Sequence, residues 1–172
     1  EPDRMRSLLS EALDDAVVFL PWSAGVMAHF EHDLYEEELE ADELNQRWWE
    51  LVEEYQKIAP PARRGEEHCD ACTKTHIIDD PAQYYDYALA TMLKYQLHDY
   101  IAREILHEDP YNCSYYGHEA VGDWLMQFMR LGATKGWRTV LKEMTGEELS
   151  PRAMVAYFQP LNDYLQTLNG AE

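Results

Sequence analysis

The sequence has 172 residues, enough for one buried core, and its 46% hydrophobic and 12% aromatic content is typical of a chain that folds. Acidic residues outnumber basic residues by 33 to 14, which gives a formal net charge of -19. Such a surface repels phosphate groups, so we expect no nucleic-acid partner. No apolar run is long enough to predict a membrane span, and three cysteines do not form a regular disulfide framework.

Helical periodicity accounts for most of the chain. Seven stretches are predicted to be helical, from the spacing of their apolar residues or from residues typical of a helix start: 3–20, 22–40, 42–58, 81–106, 115–131, 135–144 and 151–168. The spacing is less regular in 22–40. Pro21 predicts the end of the first. The adjacent Trp48 and Trp49 cannot face the same way, so one should be in the core and the other should pack on a neighbouring element.

Proline and capping residues predict further boundaries. Asp80, Pro81 and Gln83 match a helix start, with a cap, a proline at the first helical position and a capping-box glutamine. Residues 60–80 have no period and predict a loop, and Pro160 predicts a kink in the last helix. No strand pattern or internal repeat is present. The sequence therefore predicts an all-α fold in which residues 1–172 form a single helical region.

The histidines do not match a helical zinc hydrolase. Such a site needs two histidines four residues apart, with a glutamate after the first. None of the seven histidines forms that pair, so we expect no catalytic zinc site in this chain. His29 and His32 lie three apart and are interpreted as a polar helix face.

A second kind of metal site is suggested by "HCDACTKTH", residues 68–76. Cys69, Cys72 and His76 could bind a structural zinc, with His68 as a fourth ligand. No second ligand pair follows along the chain, and Cys113 stands alone. A small zinc-stabilised interaction module therefore stays as an alternative.

Six segments, in this order, resemble the C-terminal part of the angiotensin-converting enzyme family, the helical zinc peptidyl-dipeptidases. They are "ALDDAVVFLPW" at 12–22, "WWELVEEYQKIAPP" at 48–61, "HCDACTKTH" at 68–76, "PAQYYDYALATMLKYQLHDYI" at 81–101, "WRTVLKEMTG" at 137–146 and "YFQPLNDYLQTLN" at 157–169. The resemblance covers nearly the whole chain. It implies a helical subdomain of a larger zinc-peptidase-like fold.

The resemblance also implies site residues. The family's loop resembles F-D-A-G-A-K-x-H, against C-D-A-C-T-K-T-H here, so Lys74 and His76 match while the two thiols do not. Lys74 and Tyr84 would bind the free C-terminal carboxylate of a peptide. His76 would hydrogen-bond the peptide near the scissile bond, and Tyr87 would donate to the oxyanion that forms when zinc-bound water attacks. Tyr84 and Tyr87 are three residues apart, which on a helix is one face.

Departures from the family pattern carry further expectations. Asp86 and Val52 stand where the family has arginines linked to an activating chloride, so we expect weak or absent chloride activation in an active parent enzyme. "GHEAVGDWL" at 117–125 is similar to the family's third-zinc-ligand segment but lies in the wrong order. His118 and Glu119 are therefore interpreted as surface helix residues.

These observations predict a substrate-binding C-terminal region of a zinc metallopeptidase that releases C-terminal dipeptides. The zinc-binding helix and the acidic ligand would lie upstream of Glu1, so the chain alone should be inactive, with no cofactor of its own and zinc in the parent enzyme. Its partners would be a peptide C-terminus and the N-terminal part of the parent, and an exposed apolar face could form a homo-oligomer. The alternative is a noncatalytic helical peptide-binding protein. The residues leave the compartment open, and the resemblance favours a secreted or periplasmic protein.

Overall fold

A computed structural model describes residues 2–37 and 39–170, which form helices and loops without a β-strand. This confirms the all-α prediction. The chain divides into two compact units, Glu1–Thr91 and Met92–Glu172. In the described residues, no helix combines the length and the hydropathy that crossing a membrane requires.

The described residues contain eight α-helices, and π-helical or 3-10 segments lie between some of them. The α-helices are α1 (Pro2–Ala12), α2 (Ala28–Glu36), α3 (Leu44–Gln56), α4 (Thr75–Asp79), α5 (Asp86–Tyr100), α6 (Glu119–Met129), α7 (Trp137–Thr145) and α8 (Arg152–Asn169). π-Helical segments span Leu13–Phe19, Pro21–Met27 and Ile101–Leu106, and 3-10 turns span Glu66–His68, Asp70–Thr73 and Gly132–Thr134. The helices predicted over 42–58, 115–131, 135–144 and 151–168 are confirmed within a few residues.

The prediction that Pro21 ends the first helix is wrong. Helical backbone continues from α1 through both π-helical segments into α2. Pro21 is the first residue of the second π-helical segment. The hydrogen-bonding pattern of the backbone changes at this position, so the missing N–H of proline costs little stability. The Ser23 hydroxyl donates to the Phe19 carbonyl at 2.9 Å and so provides a partner for a backbone acceptor near the proline.

The helix predicted to start at Pro81 starts at Asp86 instead. Ala82 has a left-handed backbone, with φ of 58°, which is incompatible with an α-helix. Its N–H donates to the buried carboxylate of Glu31 at 2.7 Å, a contact across 51 residues that overrides the local capping pattern. The predicted loop over 60–80 contains two 3-10 turns and α4.

The first unit is built around a cluster of buried side chains from the segment before α2, from α2 and α3, and from the loops on either side of α4. The cluster comprises Val26, Met27, Phe30, Trp48, Leu51, Val52, Ala71 and Tyr84. Gly25 permits close packing of α3, because a Cβ atom at Gly25 would lie 2.4 Å from Cγ of Tyr55. The core therefore includes one residue of the candidate site, Tyr84.

The second unit has an aromatic core of its own. Tyr95, 3% exposed, contacts the rings of Tyr157 and Phe158 at centroid distances of 5.1 and 5.3 Å. The buried Gln96 side chain donates to the Glu148 carbonyl at 3.0 Å and accepts from the Ser150 N–H at 3.3 Å. These bonds tie α5 to the turn before α8.

Candidate functional site

The loop after α3 is attached to that helix by a buried amide. Asn45, fully buried, donates from Nδ2 to the Gly65 carbonyl at 3.0 Å and accepts the Asp70 N–H on Oδ1 at 2.7 Å. Gly65 and Asp70 are 20 and 25 residues from Asn45 in the sequence. A single side chain thus satisfies two backbone groups of the loop.

Asp70 forms the charged part of the same attachment. Its carboxylate accepts two hydrogen bonds from Arg64, at 2.6 and 2.5 Å, and one from the Trp49 indole at 2.8 Å. The Arg64 hydrogen bond, together with those from Trp49 and Asn45, holds the pKa of the Asp70 carboxyl well below its usual range, against the opposing effect of burial. Trp48 is buried and Trp49 binds the loop, as predicted for the tryptophan pair.

Glu66 caps α3 from a distance. Its carboxylate accepts the N–H groups of Asn45 and Gln46 at 2.7 and 2.9 Å, while Glu43, the residue preceding the helix, makes no side-chain cap. Sequence reasoning missed Asn45, Glu66 and their partners, because capping patterns are local and these partners are about 20 residues apart.

The four predicted site residues come together at the far end of this loop. Tyr84 and Tyr87 have ring centroids 4.8 Å apart, and the His76 ring lies 4.8 Å from Tyr84 and 6.0 Å from Tyr87. Lys74 Nζ lies 4.7 Å from the Tyr84 ring centroid. His76 Nε2 and the Tyr87 hydroxyl are 3.4 Å apart.

Burial divides this group in two. Tyr84 is 6% exposed, whereas Tyr87 is 44% exposed. The Nδ1 atom of His76 is buried and has no hydrogen-bond partner in the described part of the chain. A buried nitrogen left unpaired costs free energy, and such groups call for an explanation beyond packing.

Lys74 has aromatic neighbours. Its Nζ also lies 5.9 Å from the Trp22 ring centroid. Among the described residues, no carboxylate lies within ion-pairing distance of Lys74 Nζ. The ammonium group is therefore held by π-faces and stays available to an anion.

The residues described here do not supply a zinc site. Within 2–37 and 39–170, no group of three or more histidine, cysteine or acidic side chains is placed to hold a metal ion. Cys69, Cys72 and Cys113 are free thiols. No observation in the described residues favours the zinc-stabilised module.

The other residues considered from sequence have ordinary structural surroundings. His29 donates from Nδ1 to the Gly25 carbonyl at 2.9 Å and accepts from the Tyr55 hydroxyl on Nε2 at 3.1 Å, so both ring nitrogens are satisfied. His118 and Glu119 are exposed, which confirms their interpretation as surface residues. Val52 is buried and Asp86 is exposed, and their effect on chloride stays a prediction.

The chain is thus helical and brings a lysine, a histidine and two tyrosines together. Comparison with known proteins identifies its family. The family model described as angiotensin-converting enzyme matches residues 1–172. The chain therefore belongs to the angiotensin-converting enzyme family, which is a family of zinc metallopeptidases.

Similar proteins cover nearly all of this chain. It is 33% identical over 97% of its length to the mouse angiotensin-converting enzyme-like protein Ace3, and 32% identical over 98% to the Drosophila melanogaster angiotensin-converting enzyme-related protein. It is 32% identical over 95% of its length to rabbit angiotensin-converting enzyme. The chain spans only 22%, 28% and 12% of these three relatives, respectively.

Proposed function

We propose that this chain is the substrate-binding region of a peptidyl-dipeptidase and that it binds the free C-terminus of a peptide. The observation that carries the proposal is the convergence of Lys74, His76, Tyr84 and Tyr87 within one small site. These are the residues that the family resemblance selected, and they come from a loop, α4 and the start of α5.

Carboxylate binding is assigned to Lys74 and Tyr84. The chain has a net charge of -19, so its overall field opposes the approach of an anion and a local cation is needed. Lys74 provides that cation, it has no ion-pair partner in the part of the chain that the structure describes, and its Nζ lies over the Tyr84 ring. An ammonium group on an aromatic face, beside a phenol, can bind a carboxylate through a charge-assisted hydrogen bond.

Contacts to the peptide backbone are assigned to His76 and Tyr87. Their polar atoms are 3.4 Å apart, which is a long hydrogen bond that a peptide carbonyl can replace. Tyr87 is exposed enough to reach a ligand. In a complete enzyme, the same phenol would donate to the oxygen that becomes negatively charged during hydrolysis.

For the chain by itself, the proposal is peptide binding without turnover. The sequence contains no pair of histidines four residues apart, and the described side chains supply no three-ligand group. The family's metal would provide the activation of water when bound. Its ligands and the N-terminal part of the parent are assigned to residues outside this chain.

The test is calorimetric titration of the chain with a short peptide, compared with the same peptide carrying a C-terminal amide. We expect the free acid to bind at least about tenfold more tightly, because the amide removes one charge-assisted hydrogen bond. Lys74→Gln should abolish that preference, and Tyr84→Phe should reduce it. Equal affinities of the two peptides for the wild-type chain would contradict the proposal.

Two matched variants control for general effects. Lys94→Gln removes a lysine whose Nζ lies 4.6 Å from the Tyr95 ring centroid, a geometry close to that of Lys74 over Tyr84. Tyr85→Phe removes the neighbouring phenol, which is 47% exposed. Both should keep the wild-type preference for the free carboxylate, and circular dichroism should show unchanged helix content in all four variants.

A further inference from the structure

Two thiols in the loop have no role in the proposed peptide site, yet the backbone brings them together. The Cys72 N–H donates to the Cys69 carbonyl at 3.0 Å, which closes a turn between the two cysteines. A turn of this kind places the first and fourth Cα atoms less than about 7 Å apart, within the range that a disulfide spans. A hydrogen bond with the Cys69 side chain, ahead of burial, raises the pKa of the Cys72 thiol.

The two residues between the cysteines, Asp70 and Ala71, make contacts that hold the turn in this shape. Ala71 is 5% exposed and belongs to the core cluster of the first unit. Asp70 is fixed by Asn45 through its N–H and by Arg64 through its carboxylate. Neither contact uses a sulfur atom. A bond between the thiols therefore requires no loss of the contacts that position the loop.

Access to solvent differs between the two thiols. Cys72 is exposed, and Cys69 is partly buried beside it. Among the described residues, these two are not part of any group able to hold a metal ion. A close pair of thiols, one reachable from solution and without metal-ligand partners, has the arrangement of a dithiol that undergoes exchange.

We propose that Cys69 and Cys72 form a reversible redox pair that closes to an intraloop disulfide by exchange with a low-molecular-weight disulfide. A thiolate of the pair attacks the small disulfide, which forms a mixed disulfide and releases one small thiol. The second cysteine thiolate then attacks the mixed disulfide, closes the Cys69–Cys72 bond and releases the second small thiol. The protein loses two protons and two electrons, and the oxidant gains them as two thiols.

The test is incubation of the purified chain with excess oxidised glutathione, followed by alkylation of the remaining thiols and mass spectrometry. The chain has three cysteines, so we expect two of them to become unreactive with the loss of two hydrogens and no bound glutathione. Peptide mapping should place the link between Cys69 and Cys72, and reduction should restore both thiols.

Two variants and an unfolded sample make the result specific. Cys113→Ser should form the same disulfide, because Cys113 lies in the other unit and its thiol, whose pKa is raised by burial, contacts the Pro110 carbonyl. Cys72→Ser should lose the disulfide and can only carry a glutathione adduct. In urea, the yield of the closed ring relative to adduct should fall, since the turn is lost.

Three outcomes would overturn the inference. They are a wild-type chain that keeps all three thiols reactive, a chain that accumulates stable glutathione adducts on Cys69 and Cys72, and a disulfide that joins two copies of the chain. None of these measurements depends on peptide binding, so the inference and the proposed function can fail separately.

Discussion

Asp70 in the first unit and Asp99 in the second have nearly the same exposure, 16% and 18% of the side chain. Each accepts a hydrogen bond of 2.6 Å from an arginine Nε, from Arg64 and Arg103 respectively. Their surroundings differ. The Arg64 side chain is 29% exposed and Asp70 also accepts from Trp49, whereas Arg103 is 56% exposed.

The difference shows that the exposure of a carboxylate does not define what an ion pair does. Asp99 and Arg103 are four residues apart in one continuous helical run, where such a pair adds a few tenths of a kcal/mol. Asp70 joins residues six and 21 positions away and thereby fixes the loop that carries Lys74 and His76. Asp99 also lies 3.5 Å from Arg152, but that guanidinium is 55% exposed and pairs more closely with Glu147, at 2.8 Å. The Asp70–Arg64 pair therefore positions a site, and the Asp99–Arg103 pair stabilises a helix.

The largest expected effect on stability comes from removing the Asp70 carboxylate, with removal of the Asp99 carboxylate as the comparison. Asp70→Ala should lower the free energy of unfolding by about 2–3 kcal/mol, because it leaves Arg64 and the Trp49 indole without their acceptor. Asp99→Ala should cost less than about 1 kcal/mol. Urea unfolding followed by circular dichroism measures both. Equal losses of unfolding free energy in the two variants would contradict the different roles assigned to Asp70 and Asp99.

Two glycines extend the comparison to packing. Gly25→Ala should destabilise the chain by about 2 kcal/mol, because the new Cβ would lie 2.4 Å from Tyr55 Cγ and 2.8 Å from its Cβ, so a side-chain rotation cannot relieve the clash. Gly122→Ala, in α6 with nothing within 4 Å, should stabilise by up to about 1 kcal/mol through helix propensity. Thermal melts show whether each variant has a lower or a higher melting temperature than the wild type. A higher melting temperature for Gly25→Ala would contradict close packing of α3 against Gly25.

The contrast between local and distant contacts also explains what could be predicted from sequence. α3 and α8 were predictable because apolar spacing and helix ends are local properties of the chain. The helix start at Pro81 was not, since the N–H of Ala82 bonds Glu31, 51 residues away. The continuation through Pro21 was missed because periodicity does not distinguish a π-helical segment from a helix end.

The candidate site follows the same rule. Lys74, His76, Tyr84 and Tyr87 could be named before the structure only through family resemblance, because tyrosines and histidines at such spacing are commonly structural. Their supporting residues could not be named at all. Nothing local in the predicted helix over 42–58 distinguishes Asn45, which bonds two loop residues at 2.7 and 3.0 Å.

Acid should weaken the first unit through Asp70. The pKa of this carboxyl is depressed in the folded state, so the unfolded chain binds the proton first, and the stabilisation is lost as the pH falls below about 4, the unfolded value. The free-energy difference between wild type and Asp70→Asn should therefore be largest above that pH and shrink below it. Urea titrations at a series of acidic pH values measure the difference, and a constant difference would contradict the assignment.

Alkali should weaken the second unit through Tyr115. Its hydroxyl donates to His98 Nδ1 at 2.5 Å, while His98 Nε2 donates to the Pro110 carbonyl at 2.7 Å. Burial, and to a smaller extent Cys113, raises the pKa of Tyr115 to about 12. The unfolded chain loses this proton near pH 10, so stability should fall as the pH rises between about 10 and 12. Tyr115→Phe should flatten that fall in unfolding measurements, and an unchanged slope would exclude Tyr115 as its cause.

The smallest expected effect is at the exposed pair of Lys142 and Glu148. Their charged atoms are 2.7 Å apart, but the side chains are 60% and 77% exposed, so water and salt screen the attraction and ordering both chains offsets it. Lys142→Gln should leave the urea midpoint unchanged at physiological salt. At low salt a small loss is expected, because the substitution removes one positive charge from a chain whose net charge is already -19. A loss comparable to that of Asp70→Ala at physiological salt would mean that exposed pairs in the second unit also position structure, and the comparison between Asp70 and Asp99 would then fail.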